Sequence, residues 1–500
     1  MSQTTKEYAV VLAGAVLLYA ASCAPGPLWQ DSGLIQYRIW HNDIEGFLGL
    51  AISHPLFYIV AIAAKHVPLG DFAHRVNMVS SLAGAVTVAN IFLFVRFSLG
   101  KIFPALLAAI TLAVSHTFWR HASIIETYTL WAAFFSAELI LLLQYSKTRR
   151  TAYLYWLGLV NGLAMAVHIL ALIPLACYAV FVAVLLAKHD VRLKDLAVIV
   201  LLWVVGAVPY EYLIIKHIIQ TGDVTGTLAS AVFGARWQGA VLNTALSAKI
   251  IKENISYILL NFPTPNLVLF FIGWFALVKT SPSPAFRNIL IAITVLFLVF
   301  AFRYTVVDRY AFFIPFYCLV SIFIGLGARL LQQRTNGKIV VYFVLIFSVL
   351  PVGVYAAAPA LAEKMQLGLG TRGDIPYRDD YRYFLQPWKT GYAGAERFAH
   401  EALCEVEQDA IICADTTTVA PLLYVQEVQG KRPDVQIVSG SVHSKSAPEL
   451  NADTIEALLA ERPIYVVSRE RGYCPAFIVD KYELVQAGLL WRVVKRKEGG

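Results

Sequence analysis

The chain has 500 residues, of which 58% are hydrophobic and only 15% charged, and its mean hydropathy is +0.62. Soluble domains are about a quarter charged, so a single soluble core is excluded as the home of this much apolar sequence and a bilayer is implied. The net charge of +8 is the signature of basic cytoplasmic loops and carries no nucleic-acid inference.

Apolar runs long enough to cross a bilayer recur up to about residue 360. They predict about eleven spans, at 8–24, 79–97, 102–116, 127–145, 152–167, 169–187, 195–217, 257–278, 288–302, 310–330 and 338–358. The first run has the look of a signal peptide, but the many spans behind it predict an uncleaved first helix. Residues 152–187 are too many for one helix and few for two. They predict a tight hairpin with His168 at its turn; one long tilted helix is the alternative and would invert everything downstream.

Basic residues test this alternation. With the N-terminus inside, the inside loops are Arg96–Lys101, Lys147–Arg150, Lys188–Lys194, Lys279–Arg287 and Arg329–Lys338, all short and basic as cytoplasmic loops should be. The outside segments carry Asp31, Asp43, Glu45, His54, Asp71, Glu126 and Asp308. Residues 25–78 mix aromatic, apolar and charged side chains without a full span, which predicts short helices lying in the membrane interface. Beyond residue 360 the character changes: "DAIICAD", "DVQIVSG", "PIYVVSR" and "LLWRVVKR" read as strands, "GAERFAHEALCEVE" and "TIEALLAER" as helices. The expectation is a polytopic α-helical membrane protein, with a transmembrane catalytic domain over 1–360 and a small extracytoplasmic α/β domain over 361–500. Outside the cytoplasm, Cys404, Cys413 and Cys474 would allow one disulfide and leave one thiol.

Ionisable groups near bilayer depth are costly, so each is a functional candidate with a structural reading beside it. Asp31, directly after the first helix in "PLWQDSG", suits a general base on a hydroxyl acceptor, or a solvated loop acid. His54 in "ISHPLF" suits a phosphate or sugar ligand, or a packed interfacial histidine just before a helix begun by Pro55. Glu126, near Arg120 and His121 in "HTFWRHASIIETYTL", is a second acid or the partner of Arg120 in an internal salt bridge. His168 in "GLAMAVHILALIP" is a ligand or a buried structural histidine. Asp308 and Arg309 in "FRYTVVDRYAFFIP" either pair to close a loop or leave the arginine fork for a lipid-linked phosphate. Arg236 in "FGARWQG" is a second phosphate candidate. All these groups fall at one membrane face, which predicts a shared cavity there. Glu138 and Asn161 stand inside spans and fit no such role.

The stretches "WQDSG", "ISHPLFYIV", "HRVNMVSSLAGAV", "HTFWRHASIIETYTL", "GLVNGLAMAVHILALIP" and "DRYAFFIPFY" carry a resemblance over nearly the whole chain. The pattern resembles the GT-C superfamily of polyprenyl-phosphate-dependent glycosyltransferases, and more closely a bacterial membrane family related to protein O-mannosyltransferases. The chain departs from it in "DSGL", where many relatives have an acid in fourth place, and in "HPLFYI", where many read HPPGYP. The resemblance implies an inner-membrane enzyme whose donor is a polyprenyl-phosphate sugar, mannose or another hexose, and whose acceptor is a hydroxyl, Ser or Thr of exported proteins in the first place, with a lipid or polysaccharide as the alternatives. It implies Asp31 as the base of an inverting displacement and Glu126 as second catalytic acid. It implies Arg309, helped by Arg120 or Arg236, on the phosphate, with His54, His121, His168 and Asp308 positioning the substrates. No metal cluster is indicated, although Asp31, Glu126 and His168 leave a divalent ion open. The rival from another class is a transporter or flippase of lipid-linked sugars, which requires polar groups midway through spans.

Overall fold

The computed structural model describes residues 2–68, 70–234, 237–306, 308–334, 337–369 and 375–496. Its first part is a helical bundle: α1 (Gln3–Ser22), α2 (Gln30–Trp40), α3 (Pro55–Lys65), α4 (Phe72–Leu99), α5 (Ile102–Ala113), α6 (His116–Ser123), α7 (Thr127–Thr148), α8 (Ala152–Val167), α9 (Leu172–Ala187) and α10 (Leu193–Thr221). It continues through α11 (Val224–Phe233), α12 (Gln238–Val241), α13 (Ala248–Asn261), α14 (Val268–Thr280), α15 (Pro284–Arg303), α16 (Ile314–Arg334) and α17 (Gly337–Lys364). Seven helices among the described residues are long and apolar enough to cross a membrane, nine if each of two bent pairs counts as one span. This is a multi-pass membrane protein. The apolar stretch of α16 is buried throughout, so this helix is the axis of the bundle, while α10 and α17 leave most of theirs open to lipid.

Of the eleven expected spans, seven to nine are long and apolar enough among the described residues. Every predicted segment is helical, but 102–116 and 257–278 are not straight spans. Helices α5 and α6 meet at 65°, and α13 and the Pro265–Thr280 segment at 107°. Pro263 and Pro265 cannot continue the ladder of α13. Breaks at membrane depth free backbone groups that need partners, and here the two breaks satisfy each other. Asn261 at the end of α13 accepts from Thr117 N at 2.8 Å and donates to Thr117 Oγ1 at 3.0 Å. The remaining two are α1, whose start carries Lys6 and Glu7, and α8, with 16 residues. Helix α8 ends at His168, where a single turn of 3-10 helix over Ile169–Ala171 leads into α9. Residues 152–187 are thus a hairpin with His168 at its break.

Small residues let α8 and α10 touch backbone to backbone. A Cβ on Gly162 would lie 2.1 Å from Trp203 O. Gly162→Val should destabilise the protein by about 1–3 kcal/mol, read as a lowered melting temperature in detergent. Gly353→Ala in α17, where no atom lies within 4 Å, should leave it unchanged.

The rest of the chain adds α18 (Asp380–Leu385), α19 (Gly394–Glu405), β1 (Ile411–Cys413), α20 (Val419–Leu423), β2 (Gln436–Val438), α21 (Ile455–Glu461), β3 (Ile464–Val466), α22 (Ala476–Lys481), β4 (Tyr482–Ala487) and β5 (Leu490–Lys495). The strands form one sheet in the order β2-β1-β3-β5-β4. β1 runs parallel to β2 and β3, and β5 antiparallel to β3 and β4. Buried Ile411, Ile464 and Val466 pack against Ile455 and Ile478 to give this part its own core. The disulfide allowed by the sequence is absent: Cys404, Cys413 and Cys474 are free, Cys404 exposed and the other two buried.

Candidate functional site

Three carboxylates and one arginine converge where the first connection, the α6–α7 junction and the start of α16 meet. Asp31 is the second residue of α2. It keeps an accessible surface, yet protein crowds it closely enough that burial raises its pKa, with Arg120 opposing the rise. Its carboxylate makes no hydrogen bond among the described residues. Glu126 directly precedes α7, and its side chain accepts from Ser32 Oγ at 2.8 Å. Ser80 of α4 fixes the Glu126 backbone in both directions at 2.9 Å, accepting from its N–H and donating to its carbonyl. Burial, then the Asp31 charge, pushes the Glu126 carboxyl up to about 8. Asp308 precedes the 3-10 turn Arg309–Phe313; burial and then Asp31 push it up to about 6. Asp31 raises both of the other acids and Asp308 also raises Glu126, as like charges in one enclosure do.

Arg120 is the cation they share. It is buried on α6, donates to Tyr310 Oη at 2.6 Å, and has no carboxylate in salt-bridge contact among the described residues. Its guanidinium lies 5.5 Å from the Tyr310 ring centroid. Two rings from the C-terminal part also lie near it, Tyr383 at 5.5 Å and Phe384 at 5.3 Å. Arg120 Nε is buried with no partner, so this arginine has donor capacity to spare. Arg309 likewise has a buried Nε with no partner among the described residues, but it differs in lying over the Tyr257 ring at 5.6 Å and in being ion-paired with Glu253 of α13. The salt bridges expected between Glu126 and Arg120, or within Asp308–Arg309, do not form among the described residues.

The histidines occupy a neighbouring wall. His54 stands before α3 with φ 52°, in the left-handed region. Its Nδ1 lies 2.8 Å from Val167 O and so donates to that carbonyl. Burial and then Arg38 hold its pKa down at about 4, so the ring is neutral near pH 7 and its Nε2 is an acceptor. The His168 ring stacks on it with centroids 4.8 Å apart. His168 Nδ1 accepts from Leu170 N at 3.1 Å, which makes its Nε2 the donor of the neutral ring. The pair offers one acceptor and one donor, the set that a sugar hydroxyl needs. Tyr128 links this wall to His121, with ring centroids 5.3 Å from His168 and 5.3 Å from His121. His121 Nδ1 caps Thr117 O at 2.7 Å within α6. Arg236 lies outside the described residues.

The structure thus brings Asp31, Glu126, Asp308 and Arg120 together and sets His54, His168 and His121 beside them. Arg309 sits next to this group, already neutralised. No three His, Cys, Asp or Glu side chains among the described residues are grouped to hold a metal ion. The sequence reading missed Ser32, Tyr310, Glu253 and the rings of Tyr383 and Phe384. Only "YRYFLQPW", an aromatic and charged run, signalled the last two. Glu138 and Asn161 serve each other: Glu138 accepts from Asn161 Nδ2 and Tyr178 Oη at 3.1 Å each, and Asn161 Oδ1 accepts from Trp203 Nε1 at 3.0 Å. That network joins four helices.

The chain superposes on ArnT from Cupriavidus metallidurans in the apo state with a TM-score of 0.64 and 13% identity, covering 98% of each chain. The same enzyme bound to undecaprenyl phosphate gives a TM-score of 0.65 at 12% identity, again over 98% of each chain. The chain has the GT-C fold. The model of the protein O-mannosyl-transferase TMEM260 N-terminal domain matches residues 50–192. Of the site residues, this GT-C segment contains His54, Arg120, His121, Glu126 and His168, while Asp31, Asp308 and Arg309 lie outside it. The Archaeoglobus fulgidus oligosaccharyltransferase AglB, in complex with an inhibitory peptide and a dolichol-phosphate, is a looser likeness, with a TM-score of 0.48 and 14% identity over 93% of this chain and 70% of that one.

The Glu126 shift has a consequence for stability. A carboxyl raised in the fold favours the protonated form, so its contribution is fully present below the ordinary glutamate value of 4.5 and is lost as pH rises through about 8. Glu126→Gln, neutral at every pH, should therefore flatten the fall in melting temperature between pH 5 and about pH 8.5. An unchanged slope in the variant would place the titrating group elsewhere.

Proposed function

We propose that the chain is an inverting membrane glycosyltransferase that moves a hexose, mannose in the first instance, from a polyprenyl-phosphate donor to the hydroxyl of Ser or Thr in exported proteins. The observation that carries this reading is Asp31: an accessible carboxylate with no hydrogen-bond partner among the described residues, at the end of a bundle, beside an arginine with an unused donor. The GT-C fold and the match to an O-mannosyl-transferase domain support the reaction class and acceptor.

In this mechanism Asp31 takes the proton of the acceptor hydroxyl as that oxygen attacks the anomeric carbon. The phosphate departs already anionic, so it needs a cation rather than a strong acid. We assign that cation to Arg120 ahead of Arg309, because Glu253 already neutralises Arg309. A phosphate in contact with Arg120 would take up its free Nε–H. Glu126, with a carboxyl at about 8, is mostly protonated at neutral pH and can donate a hydrogen bond to the sugar without adding a third negative charge. His54 and His168 hold sugar hydroxyls. The inner-membrane setting, with the N-terminus in the cytoplasm and the C-terminal domain outside, belongs to the same proposal.

The test is transfer from purified polyprenyl-phosphate mannose to a Ser/Thr-containing acceptor peptide by the protein in nanodiscs, with a polyprenyl-phosphate glucose donor alongside. Transfer that inverts the anomeric centre is the expected result. Lipid-linked sugar crossing a liposome bilayer with no transfer would replace the reading with that of a flippase.

A further inference from the structure

The short helix α2, which carries Asp31, is not held by the membrane bundle alone. At its start, Trp29 Nε1 donates to Tyr392 Oη at 2.5 Å, and the Trp29 and Phe398 rings pack at 5.4 Å between centroids. One residue on, Gln30 N donates to Thr417 O at 3.3 Å. Gln30 has φ 54°, a left-handed conformation that a non-glycine residue keeps only where its surroundings over-determine it. In the middle of α2, a Cβ on Gly33 would lie 2.9 Å from Ala420 Cβ and 2.2 Å from Leu28 O, so α20 seats directly on the helix backbone. Towards the far end, Gln36, Tyr37 and Trp40 line a small recess with Leu423, Tyr424 and Glu427. At the end itself, His41 Nε2 meets Glu427 Oε2 at 2.6 Å. Apart from Leu28, every one of these partners belongs to the C-terminal domain.

Three points on an 11-residue helix fix its position and its rotation about its own axis. We propose that the C-terminal domain is a positioning clamp for α2, which holds Asp31 aimed into the site by gripping Trp29–Gln30, Gly33 and His41. The proposal rests on the reading of Asp31 as general base. It gives the soluble domain a part in the chemistry without any catalytic group of its own. The strained Gln30 is the point of control: with Thr417 and Tyr392 in place the turn before Asp31 is held, and without them it relaxes to an ordinary conformation that re-aims the carboxylate.

The test uses the full chain in nanodiscs with two mild variants at opposite ends of the clamp, Tyr392→Phe and Glu427→Gln, alone and combined. Hydrogen exchange of the peptide spanning residues 29–36 is read first, because it is independent of any activity. In the double variant that peptide should exchange about tenfold faster while peptides from α4 and β1 keep their protection. Transfer is read second: kcat should fall about tenfold with KM for the lipid-linked donor within about twofold, since the donor site is untouched while the base is misaimed. Unchanged exchange in residues 29–36 overturns the clamp, as does faster exchange with unchanged kcat. Should the wild-type chain transfer no sugar, the proposed function fails by that result alone and the exchange arm still decides the clamp.

Discussion

Asp31→Asn should lower sugar transfer by about a thousandfold or more, the range that general-base catalysis supplies, while leaving the protein folded and its affinity for the lipid donor intact. The substitution keeps the shape of the side chain and removes only its charge and basicity. No hydrogen bond is lost, because the carboxylate makes none among the described residues. Stability should hold or rise, since the variant removes a charge that burial disfavours and that pushes Glu126 and Asp308 upward. This direction is diagnostic. A structural acid would leave a destabilised protein when neutralised, whereas a functional one, kept in an unfavourable setting, leaves a more stable and inactive protein. The pH profile supplies a further mark. Because the Asp31 pKa is raised, the acid limb of kcat should lie above the ordinary aspartate range, and transfer should grow as pH rises through it. Transfer by Asp31→Asn at the wild-type rate, from purified donor, would remove Asp31 from the mechanism.

The parts of this molecule that were legible in the sequence are those set by local composition. The hairpin at His168 could be read because 36 residues fit neither one span nor two comfortable ones. Pro55 opening α3 could be read because proline suits a first helical turn. The 65° bend between α5 and α6 could not, although the apolar run ends near it, because the bend is fixed from outside, by Asn261 far along the chain. Strand β4 was missed for a related reason: it pairs only with β5 at the sheet edge, and only one of its side chains is buried, so it lacks the apolar run that marked the other four. The same division holds at the site. Which residue types would gather there was readable, but pairing was not. Arg309 looked free because its partner, Glu253, lies 56 residues away in another outside segment. Arg120 looked engaged with Glu126 because the two are close in sequence, yet Ser32 takes the Glu126 carboxylate and rings from the C-terminal domain lie near Arg120.

That exchange of partners makes Arg120 the second residue on which activity should turn. Arg120→Lys should lower transfer by about a hundredfold, the cost of one misplaced charge-stabilising donor, with KM for the lipid-linked donor raised. Lysine keeps the charge but loses the planar fork and its contacts with the Tyr310 and Phe384 rings. Arg120→Gln should cost more and should also move the pH profile, which the lysine variant should not. The sign follows from the site. Arg120 lowers the Asp31 pKa against burial, so removing its charge lets that pKa climb. The base then stays protonated to higher pH, and the acid limb of kcat shifts upward. Arg309→Lys is the control: with Glu253 as its ion partner, that site should lose less than about tenfold, because a neutralised arginine has little left to offer a phosphate. If Arg120 merely packed the seam between the bundle and the C-terminal domain, its two variants would lose activity in step with the folded fraction, at one unchanged pH profile. A steeper loss for Gln than for Lys, accompanied by the upward shift, places Arg120 at the charge that develops as the sugar leaves the phosphate.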